Sequence, residues 1–143
     1  MQHGPVTGRY LPDGWRPLLR LTGVTVLVVE DDDDTRELLT LILSRCGATV
    51  CAAASARDAI TACDAEVFDV VVSDLSMPEA DGYALLRALK LRRSYIHIPA
   101  IAVTGFANHR AQALEAGFDL FLVKPVEPKI LCRCVEAVVA SER

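Results

Sequence analysis

The sequence predicts a single α/β domain whose central parallel sheet is covered by helices on both faces. Short apolar runs rich in β-branched residues alternate along the chain with segments whose apolar residues recur at helical spacing. Two of the runs are nearly continuous in apolar residues, which is typical of strands buried on both sides. Five such runs alternating with five helical segments favour a doubly wound, five-stranded parallel sheet.

The predicted strands end where the apolar runs meet polar or turn-forming residues. Val24–Val29 follows Gly23 and stops at an acidic cluster, and Phe68–Val72 stops before Ser73 and Asp74. The strands are expected at Val24–Val29, Thr49–Ala53, Phe68–Val72, Pro99–Val103 and Asp119–Val123.

Capping residues indicate where the helices begin. Asp34 with Glu37, and Ser55 with Asp58, have the spacing of capping boxes, and Gly117 is expected to stop the fourth helix. The helices are expected from Asp34 to about Gly47, from Ser55 through Cys63, from about Tyr83 to Leu91, from Ala107 to Ala116, and after Pro128. In the last helix, the residues expected to be buried are Ile130, Leu131, Cys134, Val135 and Val138.

Composition and charge limit the class of protein. Residues 1–22 are expected to be a tail or linker, because glycine and proline interrupt every pattern there, and residues 23–143 the domain. A net charge of −4 without a basic stripe argues against direct binding of nucleic acid. No apolar stretch approaches the roughly 20 residues of a membrane span, and no secretory signal is evident. The five cysteines lack C-x-x-C spacing, so we expect unpaired thiols in a reducing cytoplasm.

Five polar residues follow the predicted strands, where ligands bind in sheets of this kind. Glu30 and Asp31 follow the first strand, Asp74 the third, Thr104 the fourth and Lys124 the fifth. The carboxyl ends of parallel strands share one edge, so these side chains are expected to converge. Each residue alone has an ordinary structural explanation, such as a helix start or a turn, but all five falling at strand ends by accident is much less probable.

The convergence predicts a specific chemistry. Three carboxylates held together repel one another unless a cation neutralises them, and an all-oxygen cluster suits Mg²⁺. A carboxylate beside such an ion can attack a phosphoryl group and form an acyl phosphate. The lysine and the hydroxyl could then hold the phosphoryl oxygens.

Four segments together resemble the receiver domain of two-component response regulators. The resemblance spans residues 23 to about 140 and implies a flavodoxin-like fold with strand order 2-1-3-4-5. The matching segments are VLVVEDD at 26–32, VVVSDLSMPEADG at 70–82, PAIAVTG at 99–105 and AGFDLFLVKP at 116–125.

The resemblance implies a role for each residue of the acidic cluster. Asp74 would be the phosphorylated aspartate. Asp31 and Asp74 would bind Mg²⁺ directly with the main-chain carbonyl of Ser76, and Glu30, which replaces the more common aspartate, would act mainly through water. The phosphoryl donor would be a sensor histidine kinase or a histidine phosphotransfer protein, and the output a change of conformation read by another protein.

The resemblance also implies a switch. Thr104 would move towards the phosphoryl group, Lys124 would pair with it, and Phe121 would occupy the aromatic switch position, where tyrosine is more common. The Lys124–Pro125 bond would be cis.

Other departures from the family pattern affect the fourth helix and the lifetime of the phosphoryl group. The segment from Thr104 to Gly117 is shorter than usual, so the fourth helix is expected to be short or irregular. Ser76 and Phe106 lie where receivers tune dephosphorylation. Phe106 offers the attacking water no hydrogen-bond partner, so slow self-dephosphorylation is expected, although Phe106 could equally be a packing residue.

Two other functions compete with a phosphorylated switch. A phosphatase of the haloacid-dehalogenase type also uses a strand-end aspartate with Mg²⁺, but it needs a second carboxylate where this chain has Ser76. A receiver-like interaction scaffold that is not phosphorylated would typically lack the aspartate or the lysine, and both are present. We therefore expect a signalling switch rather than an enzyme. With no effector domain expected after the last helix, a stand-alone regulator and the receiver of a hybrid kinase both remain open.

Overall fold

A computed structural model describes residues 19–77 and 81–141 of the chain. The strands are β1 (Thr25–Val29), β2 (Thr49–Ala53), β3 (Val70–Asp74), β4 (Ala100–Thr104) and β5 (Leu120–Val123). The helices are α1 (Asp33–Arg45), α2 (Ala56–Ala65), α3 (Gly82–Lys90), α4 (Arg110–Ala116) and α5 (Pro128–Ser141), with short 3₁₀ turns at Arg93–Tyr95 and Ala107–His109.

The five strands form one parallel sheet in the order β2-β1-β3-β4-β5. The predicted fold class and strand order are therefore confirmed. The order reverses between β1 and β3, because the chain leaves β1 towards β2 and returns to add β3 on the other side. In open α/β sheets, this switch point is where the crevice for ligands opens.

Each face of the sheet is covered by its own apolar cluster. Val26 and Val28 of β1 face the cluster that includes residues of α1 and α5, whereas Leu27 and Val29 face the cluster that includes residues of α2, α3 and α4. All four side chains are fully buried. The nearly continuous apolar sequence of β1 thus has the predicted cause, because both of its faces are covered.

The first helix begins two residues earlier than the capping pattern predicts. Asp32, not Asp34, is the N-cap: its Oδ2 accepts hydrogen bonds from the amide of Thr35 at 2.8 Å and from the Thr35 hydroxyl at 2.7 Å. The first bond satisfies an amide of the first helical turn, and the second holds the capping carboxylate in place. Ser55 caps α2 as predicted, accepting from the amide of Asp58 at 3.1 Å.

The segment after β4 is irregular, as expected. A 3₁₀ turn at Ala107–His109 precedes α4, which has only 7 residues. Gly117 ends it with a φ of 113°, a left-handed conformation that a residue with a side chain adopts only with strain. In α5, Leu131, Val135 and Val138 are buried as predicted, but Ile130 is 47% exposed and Cys134 only partly buried.

The expectation that every cysteine is an unpaired thiol is wrong for two of them. Cys46, the C-cap of α1, forms a disulfide with Cys132 of α5. The two residues are 86 positions apart in sequence, and the fold alone brings them together. Cys51, Cys63 and Cys134 are free.

The expected tail at 1–22 lies mostly outside the described residues, but its end packs on the domain. Leu21 is fully buried, and its amide donates to the carbonyl of Cys46 at 2.9 Å. None of the helices within the described part of the chain combines the length and apolar character needed to cross a membrane.

We expect Tyr95→Phe to lower the free energy of unfolding by about 1–2 kcal/mol. Tyr95 is 2% exposed, and its hydroxyl donates to the carbonyl of Glu66 at 2.7 Å while accepting from the amide of Phe68 at 3.3 Å. The variant leaves these groups without that partner in the core, and urea unfolding measures the loss.

Tyr83→Phe is the matched control, because the Tyr83 hydroxyl is buried with no hydrogen-bond partner in the described part of the chain. Equal losses in the two variants would contradict the assignment of stability to the Tyr95 hydrogen bonds.

Candidate functional site

The switch point of the sheet brings three carboxylates together. β1 and β3 are neighbours, with Val29 opposite Ser73, so Glu30 and Asp31 emerge beside Asp74. One carboxylate oxygen from each of Glu30, Asp31 and Asp74 lies within 4.8 Å of the others. The predicted convergence of these three side chains is therefore what the structure shows.

The three acidic residues differ in their exposure to solvent. Glu30 is 1% exposed and Asp74 is 7% exposed, whereas Asp31 is exposed at the rim. Buried carboxylates are costly as anions unless a cation or hydrogen bonds compensate them. An oxygen-only donor set that is partly open to solvent fits a Mg²⁺ ion, which prefers oxygen ligands and retains water.

Lys124, which follows the edge strand β5, supplies a positive charge to this cluster. Its Nζ lies 2.5 Å from Oε1 of Glu30 and 3.6 Å from Oδ2 of Asp74. β5 is two strands from β3, roughly 10 Å away at ordinary strand spacing, so only a long side chain can reach. Burial lowers the pKa of Lys124, but the hydrogen bond and charge of Glu30, with the charge of Asp74, outweigh it and raise that pKa overall.

Glu30 is the most strongly perturbed carboxyl of the cluster. Burial raises its pKa from 4.5 to about 7, although the hydrogen bond from Lys124 and the amide of Asp32 oppose that shift. Its Oε2 accepts from the Asp32 amide at 3.2 Å, while its other oxygen meets Lys124. The longer glutamate side chain thus bridges the loop after β1 and the lysine after β5.

The residues predicted to form the switch lie on β4 and β5. Thr104 is 1% exposed, and its carbonyl accepts from the amide of Lys124 at 2.8 Å. Its hydroxyl oxygen accepts from the amide of Phe106 at 3.3 Å. Phe121 is 7% exposed and packs in the cluster on the α2, α3 and α4 side. The Lys124–Pro125 bond is cis, as the resemblance implied.

Phe106, expected to slow dephosphorylation, is 57% exposed. Its ring lies against His109 with ring centroids 5.6 Å apart. Phe106 is thus not a core residue, although its ring contacts His109 and its amide donates to the hydroxyl oxygen of Thr104.

The connection from β3 to α3 is shaped by main-chain contacts to Asp74. The amide of Ser76 donates to Oδ1 of Asp74 at 3.3 Å. Any Cβ at Gly82 would collide with the main-chain carbonyl of Asp74, which explains the glycine in that motif. Asp81 caps α3 by accepting from the amide of Ala84 at 2.9 Å. A cavity of about 690 Å³ opens beside this connection, lined in part by Ser76 and His109.

Arg36 is a supporting residue that the sequence reasoning missed. Its guanidinium donates to the carbonyl of Glu30 at 2.9 Å and pairs with Asp33 at 2.6 Å. It therefore holds the loop that presents Glu30 and Asp31 from the first turn of α1. The available signal in the sequence was its position one turn into a helix after an acidic run. An arginine at such a position is equally typical of a surface ion pair.

Fold and site together define a doubly wound α/β domain with an acidic cluster at its switch point, and the comparisons with known proteins give its family. The model of the response regulator receiver domain family matches residues 26–136. A 14.6 kDa protein of Leptolyngbya boryana with no described function is 40% identical over 118 residues, which cover 81% of this chain and 90% of that protein. The chain belongs to the response regulator receiver domain family.

Further similarities come from regulators and from solved structures. The transcriptional regulatory protein TcrA of Mycobacterium tuberculosis is 34% identical over 106 residues, which are 74% of this chain but 42% of TcrA. The receiver domain of a signal transduction histidine kinase from Syntrophus aciditrophicus is 31% identical with a TM-score of 0.76, covering 83% of this chain and 92% of that one. The chemotaxis response regulator CheY4 of Vibrio cholerae is 28% identical with a TM-score of 0.76, covering 82% and 99%.

We expect the metal-free protein to lose stability between pH 5 and pH 8 because of Glu30. The folded state raises the pKa of Glu30 from 4.5 to about 7, so it binds the proton more tightly than the unfolded chain does. The stabilisation is complete below pH 4.5 and is lost as the pH rises through about 7, by up to about 3 kcal/mol. Urea unfolding in the presence of a chelator measures it.

Glu30→Gln should flatten this dependence, because it removes the titrating group while keeping a similar shape. Glu37→Gln, at an exposed position of α1, should leave the dependence as in the wild type. An unchanged slope in Glu30→Gln would show that another group is responsible.

Proposed function

We propose that Asp74 accepts a phosphoryl group from the phosphohistidine of a sensor histidine kinase or a histidine phosphotransfer protein, with Mg²⁺ as the cofactor. The observation that carries the proposal is the meeting of Glu30, Asp31 and Asp74 with the ammonium group of Lys124 at one sheet edge. Membership of the receiver family supports it, because receivers of two-component systems are signalling switches.

In the transfer step, a carboxylate oxygen of Asp74 attacks the phosphorus atom. The bond from phosphorus to the donor's imidazole nitrogen breaks, and a new phosphorus–oxygen bond makes an acyl phosphate. Held by Asp31, Asp74, the carbonyl of Ser76 and, through water, Glu30, Mg²⁺ would neutralise charge on the phosphoryl oxygens. Asp74 needs no activation by a base, because its carboxylate is already a nucleophile when ionised.

Lys124 has a second task after transfer. In the resting protein its ammonium group is engaged by Glu30 and Asp74. A phosphoryl group on Asp74 would be a stronger anionic partner for this ammonium group. The hydroxyl of Thr104 could also approach the phosphoryl group and donate a hydrogen bond to it. Movement of Thr104 frees space towards which the ring of Phe121 can turn. Phosphorylation would thus favour an arrangement that the unmodified protein populates rarely.

The protein would act as a switch and not as a turnover enzyme. Release of phosphate from many substrates needs an acid or base next to the nucleophile, and Ser76 stands two residues after Asp74 where a second carboxylate would be required. The downstream reader is proposed to be another protein in the cytoplasm, with no direct contact to nucleic acid. Because this chain spans only 42% of TcrA, nothing of that regulator's own output is carried over.

The direct test is incubation of the protein with Mg²⁺ and acetyl phosphate, followed by intact-mass measurement. We expect a gain of one phosphoryl group that requires Mg²⁺ and is absent from Asp74→Asn, because the amide cannot act as the nucleophile. Asp34→Asn is the matched control: this exposed carboxylate lies near the cluster in sequence but is not part of it. It should be phosphorylated like the wild type.

Each other outcome points to a different function. No gain of mass in the wild type would favour an unphosphorylated interaction scaffold. Phosphate released in many-fold excess over protein would favour a phosphatase. Either result would overturn the proposal.

We expect the phosphoryl group to persist for many minutes or longer, and Phe106→Glu to shorten its lifetime by roughly tenfold. An apolar ring just after Thr104 gives an attacking water no hydrogen-bond partner, whereas a carboxylate could orient that water. The decay of phosphorylated protein after removal of acetyl phosphate measures the rate. Phe106→Leu, which keeps an apolar side chain, should decay like the wild type, and equal rates in all three proteins would mean that Phe106 only packs.

A further inference from the structure

The disulfide between Cys46 and Cys132 lies away from the acidic cluster and plays no part in the proposed phosphorylation. Cys46 ends α1 and Cys132 lies within the first half of α5, with their Cα atoms 6.8 Å apart. Both residues belong to the apolar cluster that joins these two helices to the sheet. The bond therefore joins covalently two helices that also pack in one apolar cluster on that face.

The surroundings of the pair suit the reduced state as well as the oxidised one. Cys46 is 4% exposed and Cys132 is 8% exposed, and buried thiols behave as small apolar side chains. The sulfur of Cys132 lies 3.9 Å from the carbonyl oxygen of Ile42, which could accept from its S–H group once the bond is broken.

The position of the bond connects it to the elements that carry the site. α1 follows the loop of Glu30 and Asp31, and α5 follows the segment of Lys124. Near the bond, the amide of Leu21 also donates to the carbonyl of Cys46. A covalent link here limits how far α5 can separate from α1.

We propose that Cys46 and Cys132 are a reversible thiol–disulfide couple that locks α5 onto α1 when the surrounding pool of low-molecular-weight thiols is oxidised. In a local opening that exposes one of the two cysteines, its thiolate attacks a low-molecular-weight disulfide and releases one thiol. The second cysteine then attacks the mixed disulfide and releases the other thiol. Two protein thiols and one external disulfide become one protein disulfide and two external thiols, with both hydrogens carried by the released thiols.

The first test equilibrates the protein in glutathione buffers from fully reduced to fully oxidised, starting from both the reduced and the oxidised protein. Acid quenching, denaturation, alkylation and mass measurement then count the thiols. We expect all five cysteines to be alkylated in the reduced buffer. In the oxidised buffer only Cys51, Cys63 and Cys134 should be modified.

Two results would overturn the proposal. Five modified cysteines in the oxidised buffer would mean that the pair does not form a disulfide in solution. Three in the reduced buffer would mean a permanent bond and no couple.

The second test asks whether the bond locks the helices. The oxidised protein should unfold at a temperature roughly 10 °C above that of the reduced protein, because the link spans a long loop of the chain. The difference should vanish in Cys132→Ala and persist in Cys134→Ala, a free cysteine of the same helix. Amide hydrogen exchange in α5 should be faster in the reduced protein.

The comparison of oxidised with reduced wild type needs no variant, so it decides the matter even if Cys132→Ala folds poorly. Equal unfolding temperatures and equal exchange in α5 would show that the bond forms without acting as a lock. Because neither test uses phosphorylation, failure of the couple and failure of phosphorylation at Asp74 are distinguishable.

Discussion

The need to hold three carboxylates together at one edge of a sheet explains much of the structure around the site. Glu30 and Asp74 are buried, and their mutual repulsion would spread the loops apart if nothing opposed it. The ammonium group of Lys124 is the opposing charge, since it contacts both carboxylates. Arg36 of α1 also opposes the separation of the loops, because its guanidinium donates to the main-chain carbonyl of Glu30. The cluster is kept in place by these contacts before any ion or phosphoryl group binds.

The parallel sheet makes this arrangement possible, because it points the ends of β1, β3, β4 and β5 to one side. Adjacent strands place Glu30, Asp31 and Asp74 side by side without help from long side chains. Lys124 lies two strands from Asp74 and three from Glu30, so its contacts depend on side-chain length. The glutamate side chain at position 30 is longer than the more common aspartate and spans part of the gap to the Lys124 ammonium group. This contact gives the departure from aspartate a structural reason.

Much of this could be predicted from sequence, because it depends on periodicity and on strand ends. The strand order, the acidic cluster, the short α4 and the cap at Ser55 follow from patterns within a few residues of one another or from the family resemblance. The N-cap of α1 was predicted two residues too late, because four consecutive aspartates are all possible caps. The hydrogen bond from the Thr35 hydroxyl favours Asp32 among them. Pairing of Cys46 with Cys132, 86 residues apart, could not be predicted, because it depends on how α1 and α5 pack on one face of the sheet. The exposure of Ile130 depends likewise on the rotation of α5.

The contacts of Lys124 in the unmodified protein determine how much free energy the proposed switch would gain from pairing this lysine with a phosphoryl group. A free lysine would gain its whole interaction with a phosphoryl group, whereas this one must first leave Glu30. The net gain is then the difference between two ion pairs, which is smaller than either alone. Glu30, with a pKa raised to about 7, can take up a proton when Lys124 leaves, so its buried charge need not stay uncompensated. Lys124 can therefore exchange Glu30 for the phosphoryl group, and protonation of Glu30 removes the buried negative charge that the exchange would otherwise leave without a partner.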